Sequence, residues 1–319
     1  MADNELLRAQ SLQKYFYANG KKNEPVKAVD NVSLSIAKGE TFGLVGESGS
    51  GKTTLGRLLL RLIEPQKGRI VYNGTDITRA DMRPMRRKMQ IIFQNPSASL
   101  DPAMRVKDII AEGLRCGGRR LGKKETEEAA AELLESVGLV ADDMYRYPGE
   151  FSGGQQQRIG IARALAADPE FIVCDEPVSA LDVSYQSQIV NLLVDLKKER
   201  QLTYLFISHD LSVVMHISDR VGVMYMGRLV EVGNREDIVL RTAHPYTAAL
   251  LSNIPIPDPK LSRARVRVPL DVDSVYNENT EGCRYFSRCP KARPECKQTV
   301  PELKEISPGH FCACLFSQN

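Results

Sequence analysis

Residues 46–53 read GESGSGKT, and this stretch decides the fold. It fits the pattern G-x-x-x-x-G-K-[ST], whose glycines let backbone N–H groups turn inward around phosphate oxygens. The apolar run TFGLVG at 41–46 leads into it and predicts a buried strand. TTLGRLLLRL at 53–62 follows and predicts an amphipathic helix, with one face formed by Leu55, Leu58, Leu59 and Leu62.

The loop itself predicts a nucleotide site. The positive end of the following helix favours phosphate, Lys52 is expected to reach the β- and γ-phosphates, and Thr53 is expected to ligate Mg²⁺. A glycine-rich turn that fits the pattern by chance is the alternative, and the flanking strand and helix argue against it. The residues predicted to surround the phosphates are Gly46, Glu47, Ser48, Gly49, Ser50, Gly51, Lys52, Thr53 and Thr54.

A second apolar run, FIVCDE at 171–176, ends in two acids. An acid that emerges from a buried strand suits Mg²⁺ coordination, so Asp175 is predicted to act with Thr53. Glu176 is placed to be a general base that polarises the attacking water. A solvated carboxylate pair at a strand end is the alternative interpretation, and the nearby phosphate loop makes it less attractive.

The remaining periodicity indicates an α/β chain. QSQIVNLLVDLKKER at 186–200 has helical spacing, and TYLFISHD at 203–210 predicts another buried strand of a largely parallel sheet. Residues from about 95 to 170 are mostly helical in pattern and predict a helical subdomain. After residue 250 prolines and then cysteines become frequent, so we predict one domain over 1–250 and an extension over 251–319.

Composition excludes several classes of protein. The 319 residues are 42% apolar and 26% charged, which is ordinary for a globular chain, and the net charge of +3 is too weak to indicate nucleic-acid binding. No run of 18 apolar residues is present, so no transmembrane helix is predicted. The N-terminal MADNELLRAQ does not resemble a secretory signal, and we expect a cytosolic protein that reaches a membrane only through partners.

A family resemblance appears at FSGGQ, residues 151–155. With the phosphate loop, the acidic strand and SHD at 208–210, it resembles the signature of ABC ATPases, with Phe where Leu is usual, over about residues 10–250. The resemblance implies an α/β P-loop NTPase core with a helical subdomain. It also implies hydrolysis of ATP to ADP and phosphate at a dimer that sandwiches the nucleotide.

The resemblance also implies individual roles. Gln94 matches the glutamine that contacts Mg²⁺ or water, and His209 matches the histidine that hydrogen-bonds the γ-phosphate. Phe16 matches the aromatic that stacks on adenine, with Tyr15 and Tyr17 as competitors. A local hydrogen bond at a strand end is the alternative for His209. The residues that match the groups facing the opposite subunit are Ser152, Gly153, Gly154, Gln155 and Asp182.

Longer stretches resemble one branch, the oligopeptide/dipeptide importer ATPases: MQIIFQNPSASLDP at 89–102, CDEPVSALDVS at 174–184 and HPYTAALL at 244–251. Within that branch, LLRLIEPQKGRI at 59–70 and RRKMQIIFQNP at 86–96 resemble the second, F-type subunit more than the first. SLDPAMRV at 99–106 departs from the usual SLNPRMTV, close to the presumed docking surface. The branch implies a second, distinct ATPase, two transmembrane permease subunits, an external solute-binding protein and a place on the cytoplasmic face of the inner membrane. Transport of nickel, glutathione or another solute, and a soluble ABC ATPase without transport, are the alternatives.

The C-terminal cysteines follow C-x5-C-x6-C-x17-C, formed by Cys283, Cys289, Cys296 and Cys314. Members of this branch with this pattern resemble holders of a [4Fe–4S] cluster, which four thiolates can ligate. The spacings are longer than those of zinc ribbons, so zinc is less favoured. Free thiols are the third alternative, and Cys312 competes with Cys314 as the fourth ligand.

Overall fold

The computed structural model describes residues 4–17, 25–118, 121–253 and 281–317. The strands are β1 (Glu5–Phe16), β2 (Val26–Ala37), β3 (Thr41–Val45), β4 (Lys67–Tyr72), β5 (Thr75–Asp76), β6 (Met89–Ile92), β7 (Phe171–Asp175), β8 (Thr203–Ser208), β9 (Arg220–Tyr225), β10 (Arg228–Asn234), β11 (Lys304–Ser307) and β12 (His310–Cys312). The helices are α1 (Lys52–Leu59), α2 (Arg83–Lys88), α3 (Pro96–Ser99), α4 (Val106–Cys116), α5 (Lys123–Ser136), α6 (Gly153–Ala166), α7 (Val183–Arg200), α8 (Leu211–Ile217), α9 (Arg235–Leu240), α10 (Pro245–Ser252) and α11 (Pro294–Gln298).

The main sheet has the order β11-β12-β10-β9-β3-β8-β7-β6. Strands β9, β3, β8, β7 and β6 run parallel to one another. The sheet continues through three antiparallel pairs, β9 with β10, β10 with β12 and β12 with β11. Strands β3, β7 and β8 are buried at every residue, as their apolar runs predict. Their carboxyl ends share one edge, where ligands bind in open α/β sheets. The phosphate loop, the two acids and His209 follow these three strands.

Helix α1 is shorter than its leucine pattern predicts. Leu55, Leu58 and Leu59 are buried, but the helix ends at Leu59 and Arg61 has a positive φ of 52°. Leu62 is consequently turned outward and is 44% exposed. The prediction that Leu62 continues the buried face is therefore wrong, because the turn around Arg61 breaks the helical period.

A helical layer lies between β6 and β7 in the chain. All described elements from Pro96 to Ala166 are helical, and α4, α5 and α6 pack together around buried side chains that include Leu133 and Leu134. Gly138 follows α5 with a φ of 75°, the left-handed conformation in which helices commonly stop. The predicted helical subdomain is confirmed as part of the fold.

A second, antiparallel sheet has the order β2-β1-β4-β5. Of its strands the sequence predicts only one, because VKAVDNVSLSIAKG at 26–39 is typical of a strand followed by a glycine-containing turn. Strand β1 escapes the pattern because its buried residues do not alternate: Leu6 and Leu7 are both buried, and its pairing with β2 shifts register four times. Its apolar side chains share a core with α1. This sheet therefore covers the helix that follows the phosphate loop.

The cysteine-bearing end of the chain extends the main sheet, which its sequence does not suggest. Cys312 of β12 pairs with Glu231 of β10. The buried Glu231 carboxylate lies 2.8 Å from His310 Nε2 and accepts N–H bonds from Ala243 and His244. Residues 281–317, called the cysteine module below, are thus attached to the main sheet.

The predicted domain division at residue 250 stays a prediction. Residues 254–280, which include the prolines that suggest it, lie outside the described residues. None of the helices in the described ranges has the length and apolar character needed to span a bilayer.

Candidate functional site

The phosphate loop connects β3 to α1 with glycines where no side chain fits. Gly46 and Gly51 have φ values of 157° and 102°. A Cβ on Gly46 would lie 2.1 Å from the carbonyl oxygen of Met224, and one on Gly51 would lie 1.9 Å from that of Ala28. Both contacts would be with backbone atoms, which cannot move aside without a large cost in free energy. The loop is therefore pressed between β2 and β9.

Lys52 lies at the start of α1 and is only 4% exposed. Its Nζ donates to the carbonyl oxygens of Gly46 at 2.8 Å and Glu47 at 2.9 Å, and lies 3.4 Å from Ser50 Oγ. Burial lowers the Lys52 pKa, and nearby carboxylates oppose that shift. The ammonium group is thus held directly over the loop, where it can contact phosphate oxygens.

Thr53 and Asp175 come together from α1 and β7. Thr53 Oγ1 donates a 2.8 Å hydrogen bond to Asp175 Oδ1. Burial raises the Asp175 pKa, and the bond from Thr53 acts in the opposite direction. A hydroxyl and a carboxylate oxygen are ligands that suit Mg²⁺ beside nucleotide phosphates. The donor set therefore fits the metal that the sequence predicts.

Two other predicted catalytic residues, Gln94 and His209, approach the Glu176 carboxylate. Gln94 Nε2 donates to Glu176 Oε2 at 2.8 Å, and His209 Nδ1 lies 3.4 Å from the same oxygen. Glu176 has a φ of 46°, a left-handed conformation that is costly for a non-glycine residue, and its N–H bonds to the Ile207 carbonyl oxygen at 3.0 Å. Such strain is typical of functional positions.

These groups surround one open cavity of about 430 Å³. It brings together most of the residues that sequence reasoning assigned to the phosphates, to water activation and to γ-phosphate sensing. Gly46, Glu47, Ser50 and Asp175 are not among the residues that line it. Its lining consists of Ala28, Ser48, Gly49, Gly51, Lys52, Thr53, Thr54, Gln94, Glu176 and His209.

The signature residues lie elsewhere. Ser152 caps α6, with its Oγ accepting the Gln155 N–H at 3.4 Å while Gln155 Oε1 accepts the Ser152 N–H at 3.0 Å. Ser152, Gly153 and Asp182 are exposed, whereas Gly154 is buried against the ring of Tyr185. None of these signature residues is among the described residues that line the cavity.

The three candidate adenine-stacking aromatics differ in their freedom. Tyr15 donates its hydroxyl to Asp30 Oδ1 at 2.5 Å, and burial together with that carboxylate raises its pKa to about 12. Phe16 is 44% exposed beneath the Lys14 ammonium, and Tyr17 is 54% exposed. The Tyr15 hydroxyl is thus paired with Asp30, while the Phe16 and Tyr17 side chains are exposed. None of the three lines the described cavity.

Sequence reasoning missed the residues that brace the loop from outside. The Glu47 N–H donates to Tyr246 Oη at 2.9 Å, and the Glu47 carboxylate pairs with Arg288. Ala28 of β2 lines the cavity. No local pattern marks these residues, because their partners are up to 241 positions away.

Comparison with known proteins decides the family. A family model described as ABC transporter matches residues 29–179, and one described as oligopeptide/dipeptide transporter, C-terminal region, matches residues 230–296. The putative oligopeptide transport ATP-binding protein YkfD of Bacillus subtilis (strain 168) is 51% identical, over 98% of this chain and 96% of its own length. The chain belongs to the ATP-binding proteins of ABC transporters.

Further relatives agree. The oligopeptide transport ATP-binding protein OppF of Bacillus subtilis (strain 168) is 49% identical to this ABC ATPase, over 97% of this chain and 96% of its own length. Among solved structures, the dimeric post-hydrolysis state of the ATP-binding cassette MJ0796 bound to ADP and Pi has a TM-score of 0.66. It is 27% identical and covers 72% of this chain and 99% of its own. This ABC ATPase binds ATP with Mg²⁺ and converts ATP and water to ADP and phosphate.

The predicted metal site of the cysteine module is not confirmed. Within the described ranges, no group of three or more His, Cys, Asp or Glu side chains is arranged to hold a metal ion. Four thiols nevertheless line a single cavity of about 230 Å³, those of Cys283, Cys289, Cys296 and Cys314. Burial raises the Cys283 pKa to about 11. Cys312 lies instead on β12 and is not among the residues that line this cavity.

Proposed function

We propose that this ABC ATPase drives the import of di- and oligopeptides across the inner membrane. The observation that carries the proposal is the likeness, over nearly the whole chain, to ATP-binding proteins named for oligopeptide transport, such as YkfD at 51% identity. The match of residues 230–296 to the oligopeptide/dipeptide transporter C-terminal region supports it. Uptake of nickel or glutathione by the same ATPase chemistry is the alternative.

The catalytic roles follow from the chemistry of the cavity. Glu176 accepts the proton of the attacking water, and Gln94 holds the carboxylate in place through its 2.8 Å bond. His209 and Lys52 donate to the γ-phosphate, whose developing charge needs donors from several sides. Mg²⁺, when bound through Thr53 and Asp175, neutralises charge on the β- and γ-phosphates.

The opposite face of the nucleotide requires a second ATPase. The exposed start of α6, with Ser152 and Gly153, and the nearby Asp182 would close the site of a partner subunit, which is supported by the dimeric ADP-bound form of MJ0796. We propose a related but distinct ATPase as the partner. The pair docks on two permease subunits at the cytoplasmic face, and an external solute-binding protein delivers the peptide.

Phe16 stacks on adenine.

Transport by vesicles that carry the assembled transporter tests this function. Labelled short peptides, labelled nickel and labelled glutathione are offered separately with MgATP on the ATPase side. We expect ATP-dependent uptake of peptides alone, and its loss in the Glu176→Gln variant. Uptake of nickel or glutathione in place of peptides would contradict the proposed solute and leave the ATPase assignment intact.

We also propose that the cysteine module holds a [4Fe–4S] cluster. Its support is the placement of four thiols around one cavity, which is what a cluster with four thiolate ligands needs. A single zinc ion would instead require the sulfurs to lie about 2.3 Å from one point. The cluster would be structural, since it lies in a module apart from the reacting phosphates.

Metal analysis of anaerobically purified protein tests the cluster. We expect a broad absorption near ~400 nm and about four irons per chain, because each thiolate binds one iron of the cube. Cys283→Ser should abolish the absorption. Cys116→Ser, which changes an exposed cysteine outside the module, is the matched control and should retain it. One zinc per chain, or no metal, would contradict the proposal.

A further inference from the structure

A side chain of the cysteine module contacts the phosphate loop directly. Arg288 makes two parallel hydrogen bonds to the Glu47 carboxylate, from Nη1 to Oε2 at 3.0 Å and from Nη2 to Oε1 at 2.9 Å. Glu47 is the second residue of the phosphate loop. Bidentate guanidinium–carboxylate pairs are strong and fix orientation as well as charge. A residue of the module therefore forms an ion pair with the phosphate loop.

The guanidinium group is held in a fixed place. The Arg288 side chain is 9% exposed, and its guanidinium carbon lies 5.8 Å from the ring centres of both Tyr225 and Tyr285. These rings and that of Tyr246 form a buried cluster with centre-to-centre distances of 4.5 to 5.4 Å. Tyr285 belongs to the module, whereas the other two belong to the core. The cluster thus connects the module rigidly to the core.

Glu47 is pinned on three sides. Its N–H donates to Tyr246 Oη, its carbonyl oxygen accepts from Lys52 Nζ, and its carboxylate accepts from Arg288. The hydrogen bonds that Arg288 donates to Glu47 raise the pKa of the guanidinium. Without that cation, the Glu47 carboxylate would be an uncompensated negative charge close to the phosphate loop, near enough to oppose the lowering of the Lys52 pKa by burial. Such a charge disfavours the binding of a triphosphate.

A second arginine of the module braces the same loop from another direction. Arg284 donates to Asp30 and to the carbonyl oxygen of Met226. The next residue, Gly227, donates its N–H to the Ser50 carbonyl oxygen at 2.8 Å and accepts the Asp30 N–H at 2.8 Å. Two arginines, each next to a cysteine of the module, therefore converge on the phosphate loop and its neighbouring turn.

We propose that Arg288 is a positioning residue for ATP binding, which neutralises Glu47 and anchors the phosphate loop to the cysteine module. The residue touches no reacting atom and acts only through Glu47. It determines how tightly the loop accepts the triphosphate, and the chemical step is left unchanged. The cysteine module is then an external support of the ATP site, and this holds whatever solute is transported.

Steady-state ATP hydrolysis by the assembled transporter, with the full-length chain in place, tests the proposal. Arg288→Met should raise the KM for ATP about tenfold while kcat changes less than about twofold, because an uncompensated carboxylate in the loop weakens phosphate binding equally in the ground and transition states. Arg288→Lys should recover most of the affinity. Arg293→Met is the control, because it removes an exposed cation of the same module that packs on Phe316, and it should leave KM unchanged.

The sign of the coupling separates this role from simple loss of stability. Glu47→Gln alone should raise KM only about twofold, and adding it to Arg288→Met should return KM to that level, because the repelling charge is then gone. Arg288→Gln, which keeps polar donors, replaces the methionine variant if that protein does not fold. An unchanged KM in a folded Arg288 variant would overturn the proposal. A double variant as poor as Arg288→Met alone would do so too.

Discussion

Two helices of this protein begin at glycine-rich loops, and they begin in opposite ways. Helix α1 starts after Gly51, whose φ is 102°, without any side-chain cap, and its loop lines the 430 Å³ cavity. Helix α6 starts after Ser152, which exchanges hydrogen bonds with Gln155. Ser152 and Gly153 are exposed, and neither lines that cavity. The first loop is surrounded by its own chain, whereas the second is presented to the outside.

The difference teaches how the catalytic work is divided. The start of α1 lies against Ala28 of β2 and Met224 of β9, and Thr53 bonds to Asp175 of β7. The nucleotide site is therefore built from several strands of one chain. The start of α6 satisfies its own backbone through the capping pair and therefore keeps its shape without a ligand. A loop of that kind is suited to meet a nucleotide held by another subunit. Changes at the two loops should accordingly separate binding from turnover.

The largest effect is expected at the α1 side of the comparison. Glu176→Gln should lower kcat by about 10²–10³-fold, because the amide cannot accept the proton of water, while ATP affinity is retained. Turnover and nucleotide binding are measured on the same preparation. Glu170→Gln, just before the opposite end of β7, is the control and should hydrolyse ATP normally. Normal turnover by Glu176→Gln would refute the general-base role.

A smaller effect is expected from a charge at the start of α6. Gly153→Asp has open space around its Cβ apart from Leu181, and an acid at the first turn favours the helix dipole, so the chain should stay folded. We expect nucleotide binding by the single chain to persist and turnover in the assembled transporter to fall about 10²-fold, since the carboxylate repels the partner's phosphates.

The matched control for that variant is Gly149→Asp, at another exposed glycine with open space around it. It should retain turnover. If Gly153→Asp instead weakened nucleotide binding to the single chain, the α6 loop would belong to the chain's own site, and the contrast between the two loops would fail.

The smallest effect is expected from the cap itself. Ser152→Ala removes the acceptor for the Gln155 N–H and should lower the free energy of unfolding by about 1 kcal/mol, whereas Ser152→Thr keeps the hydroxyl and should remain close to wild type. Urea denaturation measures both. Equal stability of the alanine and threonine variants would mean that the α6 loop does not depend on its cap.

Candidate catalytic residues could be proposed from the sequence because most of them sit in a local pattern with a strong physical signature, and the structure places Lys52, Gln94, Glu176 and His209 around one cavity. Asp175 and Glu176 end a buried strand, and the residues of the phosphate loop lie between a strand and a helix. Strand β1 was missed because Ser11, with a φ of 48°, and the register shifts around it disturb the alternation of buried residues. Strands β11 and β12, of four and three residues, are too short for any periodicity to identify.

By itself the sequence determined the α/β core, the phosphate loop, the acidic strand end and the family, because each depends on residues close together in the chain. The tertiary structure alone decided what surrounds them: that α1 stops at Leu59, that the cysteine module extends the main sheet, and that Arg288 reaches Glu47 across 241 positions. Such contacts depend on how distant elements pack, and neither hydrophobic period nor motif spacing carries that information.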